Sequence, residues 1–172
     1  MAKEFYFSWQ WDLQSPPETI WQYASDTNRF NRDTGQPEIE MLSNLMGTKK
    51  LRMKLPVLQV EWEEEPFEWT YPYSFGVVRR YGKGPLLEMR AQVSLDPLPN
   101  GGTHLHYQTW MVPRYFFARL GIPFAIGVVA KNRFEKAFRS YDRVAKKGDL
   151  LFTPKPQRGT HFQRASQVQV RE

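Results

Sequence analysis

Large apolar residues occupy every second position over much of the chain. From Phe5 to Leu13 the odd positions carry Phe, Trp or Leu, while Ser8, Gln10 and Asp12 fall between them. Because successive side chains of a β-strand point to opposite faces of a sheet, this alternation predicts a strand with one buried face. It returns in six further stretches, which are 39–45, 51–55, 58–63, 69–81, 87–95 and 105–111. Turns rich in Gly, Pro and Asn separate most of them, which favours an antiparallel sheet.

Two short helices are predicted between the first and second strands. The run SPPE at Ser15–Glu18 is typical of a helix start, because Ser15 can cap, proline suits the first turn and glutamate can complete the capping box. This helix is expected to end near Asp26. A second helix includes Phe30 and stops near Gly35.

The last long stretch, Pro123–Lys147, changes to helical spacing. Pro123 suits the first turn of a helix and Gly148 its end, and about 24 residues would span about 36 Å. Its apolar positions fall on one face and are Phe134, Ala137, Phe138, Tyr141, Val144 and Ala145. The sheet and this helix must cover each other's apolar faces. The sequence therefore predicts an α+β domain over 1–148, with a seven-stranded curved antiparallel sheet wrapped round the C-terminal helix.

Composition narrows the class of protein. The chain has 172 residues, of which 41% are hydrophobic, 24% charged and 15% aromatic, and this fits a globular domain with a strongly aromatic core. It has no cysteine, which excludes disulfides and thiolate metal sites and favours a reducing compartment. We find neither a signal peptide nor an apolar run of about 18 residues, so a cytoplasmic protein is expected.

Positive charge is concentrated near the C-terminus. The net charge is +6, yet the residues from Lys131 onward hold 11 Lys and Arg against 4 Asp and Glu. Residues 149–172 are predicted to form a basic, flexible tail because prolines, glutamines and arginines dominate them. These charges could simply be solvated, or they could contact an acidic partner or an anionic membrane surface. No nucleic-acid partner is expected.

Four phrases of the sequence resemble a known group of proteins. They are WQWDLQSPPETIWQYASDTNRFNRDTG at Trp9–Gly35, VEWEEEPFEW at Val60–Trp69, VVRRYGKGPL at Val77–Leu86 and GGTHLHY at Gly101–Tyr107. With the element order, they resemble the helix-grip or SRPBCC superfamily, which includes START-related lipid-binding domains, polyketide cyclases and birch-pollen-allergen proteins. The similarity is greatest to the uncharacterised SRPBCC-type domain that bacteria place ahead of class III adenylate cyclases. It implies an internal cavity for an apolar or amphipathic ligand.

Parity along the strands selects the residues that would line such a cavity. The predicted ligand-binding set, which includes two residues of the long helix, is Trp62, Tyr71, Tyr73, Phe75, Arg79, Met89, Tyr107, Phe134 and Phe138. Plain core packing is the alternative for the aromatic members. An inward arginine is costly unless it is paired, so Arg79 could bind a ligand carboxylate or phosphate, or pair with Glu64.

Catalytic and metal signals are weak. Glu64 shares the parity of Trp62 and could act as a general acid or base in an aromatic pocket, although a solvated strand end is the alternative. His104 and His106 share one face of a strand, but no third ligand is evident and their parity points outward. No nucleophile elbow or phosphate-binding loop is present, so no catalytic residue, metal or cofactor is expected.

The most apolar stretch is Tyr115–Ala130, which Arg119 and the Gly121-Ile122-Pro123 break divide in two. It could cover the cavity mouth, dip into a membrane, or begin a helix packed on the sheet.

The sequence and the resemblance together leave three hypotheses for the function of the chain. The first is ligand binding without chemistry. The second is a cyclase- or aromatase-like enzyme that uses Tyr73, Arg79 or Glu64. The third is a regulatory or interaction module.

Overall fold

The computed structural model of the chain describes residues 4–45, 47–55, 58–65 and 68–146. The predicted α+β element order is confirmed. The strands are β1 Phe5–Leu13, β2 Ile39–Leu45, β3 Thr48–Leu55, β4 Leu58–Glu64, β5 Glu68–Thr70, β6 Ser74–Lys83, β7 Leu86–Pro97 and β8 Thr103–Pro113. The helices are α1 Pro17–Ala24, α2 Thr27–Asp33, α3 Ala118–Phe124, a π-helical segment Ala125–Ala130, and α4 Lys131–Lys146. The predicted tail, 149–172, lies outside the described residues.

All strands pair antiparallel in one sheet with the order β1-β8-β7-β6-β4-β3-β2, and the short β5 pairs with β6. The predicted single strand over 69–81 is wrong, because the chain turns at 71–73 and divides it into β5 and β6. Pro72 has no N–H for a strand ladder, and the backbone N–H of Tyr73 donates to the Thr70 carbonyl at 2.7 Å instead. The predicted Asn100-Gly101 turn is present, with Gly101 at a φ of 82°.

The C-terminal helical run follows β1 from one end of the sheet to the other. The Phe134 ring lies 5.9 Å from the Trp9 ring, and the Phe138 ring lies 5.3 Å from the Trp11 ring. The Asp142 carboxylate accepts a hydrogen bond from the backbone N–H of Ser15, just beyond β1. The run begins at Ala118, earlier than the predicted Pro123, so Pro123 lies inside α3 and not at a helix start. A proline inside a helix interrupts the hydrogen-bond ladder, and the π-helical segment follows directly.

Ser15 ties α4 to the loop between β1 and α1. The predicted capping role of Ser15 is wrong, because α1 begins at Pro17 after Pro16 and has no side-chain cap. Instead, the Ser15 hydroxyl donates to the Asp142 carboxylate at 2.7 Å, and the backbone N–H groups of Gln14 and Ser15 donate to the same oxygen at 3.1 and 2.8 Å. Asp142 therefore holds α4 against the end of β1 through three hydrogen bonds.

Replacing Asp142 with alanine is expected to lower the free energy of unfolding by about 2–3 kcal/mol, since bonds to a charged acceptor are lost and the Ser15 N–H is left unpaired. These hydrogen bonds outweigh the effect of burial and lower the pKa of Asp142. The carboxylate therefore stabilises the fold above the unfolded pKa of an aspartate, about 4, and this contribution is lost as the pH falls through the lower folded pKa.

Urea unfolding at several pH values measures both effects. The matched control is Asp12→Ala, because the Asp12 carboxylate bonds His104 at 2.6 Å but is 69% exposed, and it should cost about 1 kcal/mol or less. Equal losses for the two variants, or an Asp142→Ala loss that does not shrink at low pH, would contradict the anchoring role of Asp142.

Candidate functional site

In the part of the chain that the structure describes, buried apolar residues form three separate clusters. The largest lies between α1, α2, α4 and one end of the sheet and includes Leu95, Leu105 and Phe138. The second lies on β3 and β4 and consists of Leu51, Val60 and Trp62, and the third joins Met111 to Ala118 and Ile122. The predicted inward set is thus distributed over all three clusters, with Tyr107 at the first, Trp62 in the second and Met89 at the third.

Strand register places the inner side chains in rows across the sheet. Leu95, Leu105 and Trp11 form a row with exposures of 0%, 0% and 7%. The next row is Phe75, Val93, Tyr107 and Trp9, followed by Val77, Ala91, Thr109 and Phe7, and then by Glu64, Arg79, Met89 and Met111. Phe75, Arg79, Met89 and Tyr107 are only partly buried. The sheet's inner face is therefore tightly covered at one end and more open towards its middle.

A buried ion pair joins Arg79 and Glu64 across β6 and β4. The Arg79 Nε donates to Glu64 Oε2 at 2.8 Å, and the two side chains are 11% and 10% exposed. The Trp62 Nε1 donates to the same oxygen at 3.4 Å, and the Arg79 guanidinium lies 5.4 Å from the centre of the Trp62 ring. The inward parity predicted for both charges is confirmed, and the solvated alternative for Glu64 is wrong. Pairing resolves the cost of burying either charge alone.

Two phenols lie beside this pair. Burial raises the pKa of Tyr81 and raises that of Tyr107 to about 12, although the Arg79 charge acts to lower both. Burial by itself would lower the pKa of Arg79, but the Glu64 carboxylate, Tyr81 and Tyr107 together outweigh burial, so that pKa is raised. At neutral pH both phenols are therefore protonated, and Arg79 keeps its charge beside Glu64. Tyr81 shares the parity of Arg79, so strand parity could have identified this residue, which our predicted set omits.

Met89 and Trp62 connect the polar group to its apolar surroundings. The Tyr81 hydroxyl lies 3.9 Å from the Met89 sulfur, and the Tyr81 ring lies 5.9 Å from the Trp62 ring. Met89 packs against the Met111 cluster, Trp62 belongs to the Leu51 cluster, and Tyr107 packs against the largest one. The Arg79–Glu64 pair thus lies where the three clusters approach one another.

From the helix side, Phe134 faces this region and Phe138 does not. The Phe134 ring lies 5.0 Å from both the Tyr107 and the Phe30 rings and is partly buried. Phe138 is 1% exposed and packs at 5.2 Å on Phe30, in the filled part of the core. Phe30 and Trp9 are neighbours that the predicted set omits, because periodicity within one element does not reveal packing between distant elements.

Tyr71 and Tyr73 lie at the surface, in the turn between β5 and β6. They are 53% and 47% exposed, so the common inner face predicted for 69–81 extends only over β6. The Trp21 ring of α1 packs at 5.6 Å on Tyr71 and at 5.3 Å on Phe75, and it joins the turn to the inner face. Trp21 is a further residue that the predicted set omits.

The outer face of the sheet is polar. His104 and His106 lie there, as their parity predicted, and form hydrogen bonds with Asp12 at 2.6 Å and with Ser8 at 2.7 Å, respectively.

A surface depression of about 490 Å³ lies between β3, β4 and β6. Its mixed lining consists of Lys50, Glu61, Trp62, Glu63, Arg80, Tyr81, Gly82 and Lys83. Among the described residues, no group of three or more His, Asp or Glu is arranged to hold a metal ion.

Known proteins resemble this chain in structure and not in sequence. No family model and no curated protein matches it. The crystal structure of the Zhui aromatase/cyclase from Streptomyces sp. R1128 matches with a TM-score of 0.66 at 11% identity, over 83% of this chain and 96% of that one. Ara h 8.0201 matches with a TM-score of 0.55 at 12% identity, over 82% and 99%. The chain has the helix-grip fold.

A conserved protein from Geobacillus kaustophilus shares this helix-grip architecture, with a TM-score of 0.60 at 16% identity over 83% of this chain and 96% of that one. These identities are low, so the likeness concerns the fold alone. The resemblance to the SRPBCC superfamily is confirmed at that level. The narrower resemblance to the domain ahead of adenylate cyclases, and the expected cytoplasmic location, stay predictions.

Proposed function

We propose that this helix-grip domain binds a hydrophobic or amphipathic small molecule, lipid-like or polyketide-like, between the inner face of the sheet and α4, without chemistry. The observation that carries the proposal is the Arg79–Glu64 pair, which lies with two protonated phenols where three separate apolar clusters meet. Binding sites for such ligands are mainly apolar and contain a few fixed polar groups that orient the ligand.

Side-chain size along the sheet supports a cavity at this place. The row Val77, Ala91 and Thr109 is made of small residues, and it lies between the row of Phe75 and Tyr107 and the row of Arg79 and Met89. On the helix side, a glycine, Gly127, lies over Phe7 at the end of the same row. Thr109 is 1% exposed and therefore covered, whereas Val77 and Ala91 are only partly buried, so the proposed cavity lies on the β6 and β7 side of this row.

Charge indicates which ligands would fit. Arg79 is already neutralised by Glu64, so a ligand carboxylate would have to compete with a partner at 2.8 Å. The protonated hydroxyls of Tyr81 and Tyr107 are donors, and they suit a neutral ligand oxygen such as a carbonyl, ester or hydroxyl. We therefore favour a neutral, oxygen-bearing ligand over a free acid.

A cyclase- or aromatase-like enzyme is the second candidate, because the Zhui aromatase/cyclase has the same fold. Less supports it. The Glu64 oxygen that faces Arg79 accepts bonds from both Arg79 and Trp62, and the raised pKa of Tyr107 makes that phenol a poor base at neutral pH. Tyr73, the third residue of that hypothesis, is half exposed in a turn.

A larger side chain that fills the proposed cavity should weaken the binding of an apolar probe without unfolding the protein. The experiment titrates the neutral fluorescent probe N-phenyl-1-naphthylamine into the full chain and into the variant Ala91→Phe. If the middle row faces empty space, the added ring occupies it, and the affinity for the probe should fall by about tenfold or more at little cost in stability. The control is Gln92→Phe, which adds the same ring at the next position on the outer face.

Two results would overturn the proposal. One is the absence of probe binding by the unaltered chain together with a loss of about 1–3 kcal/mol in Ala91→Phe, which is the cost of overpacking a core that is already filled. The other is equal loss of binding in both variants. Native mass spectrometry of the purified chain complements the titration, since extra mass that disappears on denaturation would give the class of a carried compound.

A further inference from the structure

The helical run before α4 is apolar on both sides. Its inner side packs Ala118, Ile122 and Ile126 against Met111 and Phe5. Its outer side, together with the turn at 115–117 that leads into it, carries large apolar residues that the described structure leaves exposed, namely Tyr115 (47%), Phe116 (76%), Phe117 (68%), Leu120 (75%), Phe124 (66%) and Val128 (49%). We call these six residues the outer apolar patch. Four of them recur every four residues, so they form one continuous stripe.

A helix that is apolar all round requires a partner on each face. The sheet supplies one partner for this helix, and nothing in the described part of the chain covers the other. Single exposed apolar residues are ordinary, but a contiguous patch of six marks an interaction surface. Of the alternatives for Tyr115–Ala130, a helix packed on the sheet is confirmed for the inner side only, and the described residues leave the outer side uncovered.

Charge around the patch identifies the partner. The sequence has no Asp or Glu between Asp96 and Glu135, whereas it has four cations there, Arg114, Arg119, Lys131 and Arg133. Arg114 is engaged with the Tyr81 and Gly84 carbonyls, and Arg133 donates to the Thr34 carbonyl at 3.4 Å, whereas Lys131 is exposed on the first turn of α4. Two acidic residues at the same end of the sheet, Glu4 and Glu88, pair with Arg90. The surroundings of the patch are therefore basic.

We propose that the outer apolar patch docks on the surface of an anionic lipid bilayer, with its side chains at the level of the head groups and the adjoining cations on lipid phosphates and carboxylates. Aromatic and aliphatic side chains beside Lys and Arg are the composition of interfacial helices. No helix of the described residues has the length and apolarity needed to cross a membrane.

A second copy of the chain fits the patch less well. A two-fold contact through it would set the same surface of both copies against each other. The cations around the patch would then face a second basic surface, with no acidic residue of the stretch 97–134 to compensate them. The docking proposal is independent of the proposed cavity, because the patch lies on the opposite side of the helical run from the sheet.

Vesicle co-sedimentation with the full chain tests the proposal. The probe is a set of large vesicles of phosphatidylcholine alone or mixed with phosphatidylserine. We expect binding to the mixed vesicles that weakens with salt, and a loss of about tenfold or more in Leu120→Ser, since a buried leucine contributes more than one factor of ten. The matched control is Leu45→Ser, because Leu45 is an equally exposed leucine (72%) in β2, outside the patch. Arg119→Glu should weaken binding to the mixed vesicles only.

Each other outcome overturns the proposal. If the unaltered chain does not sediment with the mixed vesicles, the patch does not dock on anionic lipid. If Leu120→Ser and Leu45→Ser bind equally well, another part of the chain carries the contact. If analytical ultracentrifugation shows a dimer that Leu120→Ser dissociates, and vesicles do not bind, the partner is a second copy. All three variants alter exposed or half-exposed positions, so thermal unfolding should confirm an unchanged fold.

Discussion

Glu64→Gln is expected to lower the free energy of unfolding by about 3–5 kcal/mol, because it leaves the Arg79 charge buried without its partner. The Glu64 and Arg79 side chains are 10% and 11% exposed, so water can compensate little of the lost attraction. Urea unfolding of the variant and of the unaltered chain measures the difference. This prediction concerns stability and does not depend on whether a ligand binds.

The neighbouring ion pair is a matched control. Glu65, directly after the end of β4, pairs with Arg80 of β6, but these side chains are 37% and 60% exposed. Glu65→Gln should therefore cost about 1 kcal/mol or less. Equal small losses in the two variants would contradict a dry environment for Glu64, and would mean that water reaches the pair.

The double variant Glu64→Gln/Arg79→Met, compared with the single variants Glu64→Gln and Arg79→Met, gives a double-mutant cycle for the ion pair. Removing both charges avoids the unpaired buried cation, so the double variant should recover much of the stability that Glu64→Gln loses. If the loss of unfolding free energy in the double variant equals the sum of the losses in Glu64→Gln and Arg79→Met, the two side chains do not interact. The hydrogen bond of 2.8 Å would then have no energetic role.

Phe138→Ala is expected to cost about 3–5 kcal/mol, since it removes a ring from the tightest part of the core and leaves a cavity. Phe138 is 1% exposed, and its ring packs on Trp11 at 5.3 Å and on Phe30 at 5.2 Å. Like Phe134, it contacts both β1 and α2 from α4, but it is the more deeply buried of the two. Chemical denaturation followed by tryptophan fluorescence measures the loss.

Phe124→Ala is the control for this prediction, because Phe124 belongs to the same helical run but is 66% exposed. Its loss should stay within about 0.5 kcal/mol. Similar losses at the two positions would show that α4 does not pack on the sheet through Phe138. Phe134→Ala should lie between the two, since Phe134 is partly buried and faces the proposed cavity.

Much of the architecture follows from short-range patterns. The two-residue alternation identified the strands, and the three- and four-residue spacing identified α4, because each period reflects how one element presents its side chains to a single apolar layer. Parity also placed Arg79 and Glu64 on the inner face. These inferences needed only the geometry of an isolated strand or helix, so the sequence by itself determined the α+β fold and the inward direction of Arg79 and Glu64. Alternation alone assigned Tyr71 and Tyr73 to the wrong environment, since both are exposed in a turn.

Other features depended on contacts between distant segments. Which carboxylate pairs with Arg79 depends on the register of β4 against β6, which shifts between Glu61 and Trp62. Ser15 resembles a helix cap, but Asp142, 127 residues away, accepts its hydroxyl. Pro72 ended a strand that alternation alone would continue.

Tertiary structure also decided which apolar residues are covered. Over Tyr115–Ala130 the sequence is apolar on every side, so its periodicity could not say which face packs on the sheet. Only the folded chain shows Ile122 buried and Leu120 exposed. Local patterns report what an element can bury, whereas burial itself depends on whether another segment arrives to cover it. For this reason the sequence determined the elements and their faces, and the tertiary structure decided the ion pair and the outer apolar patch.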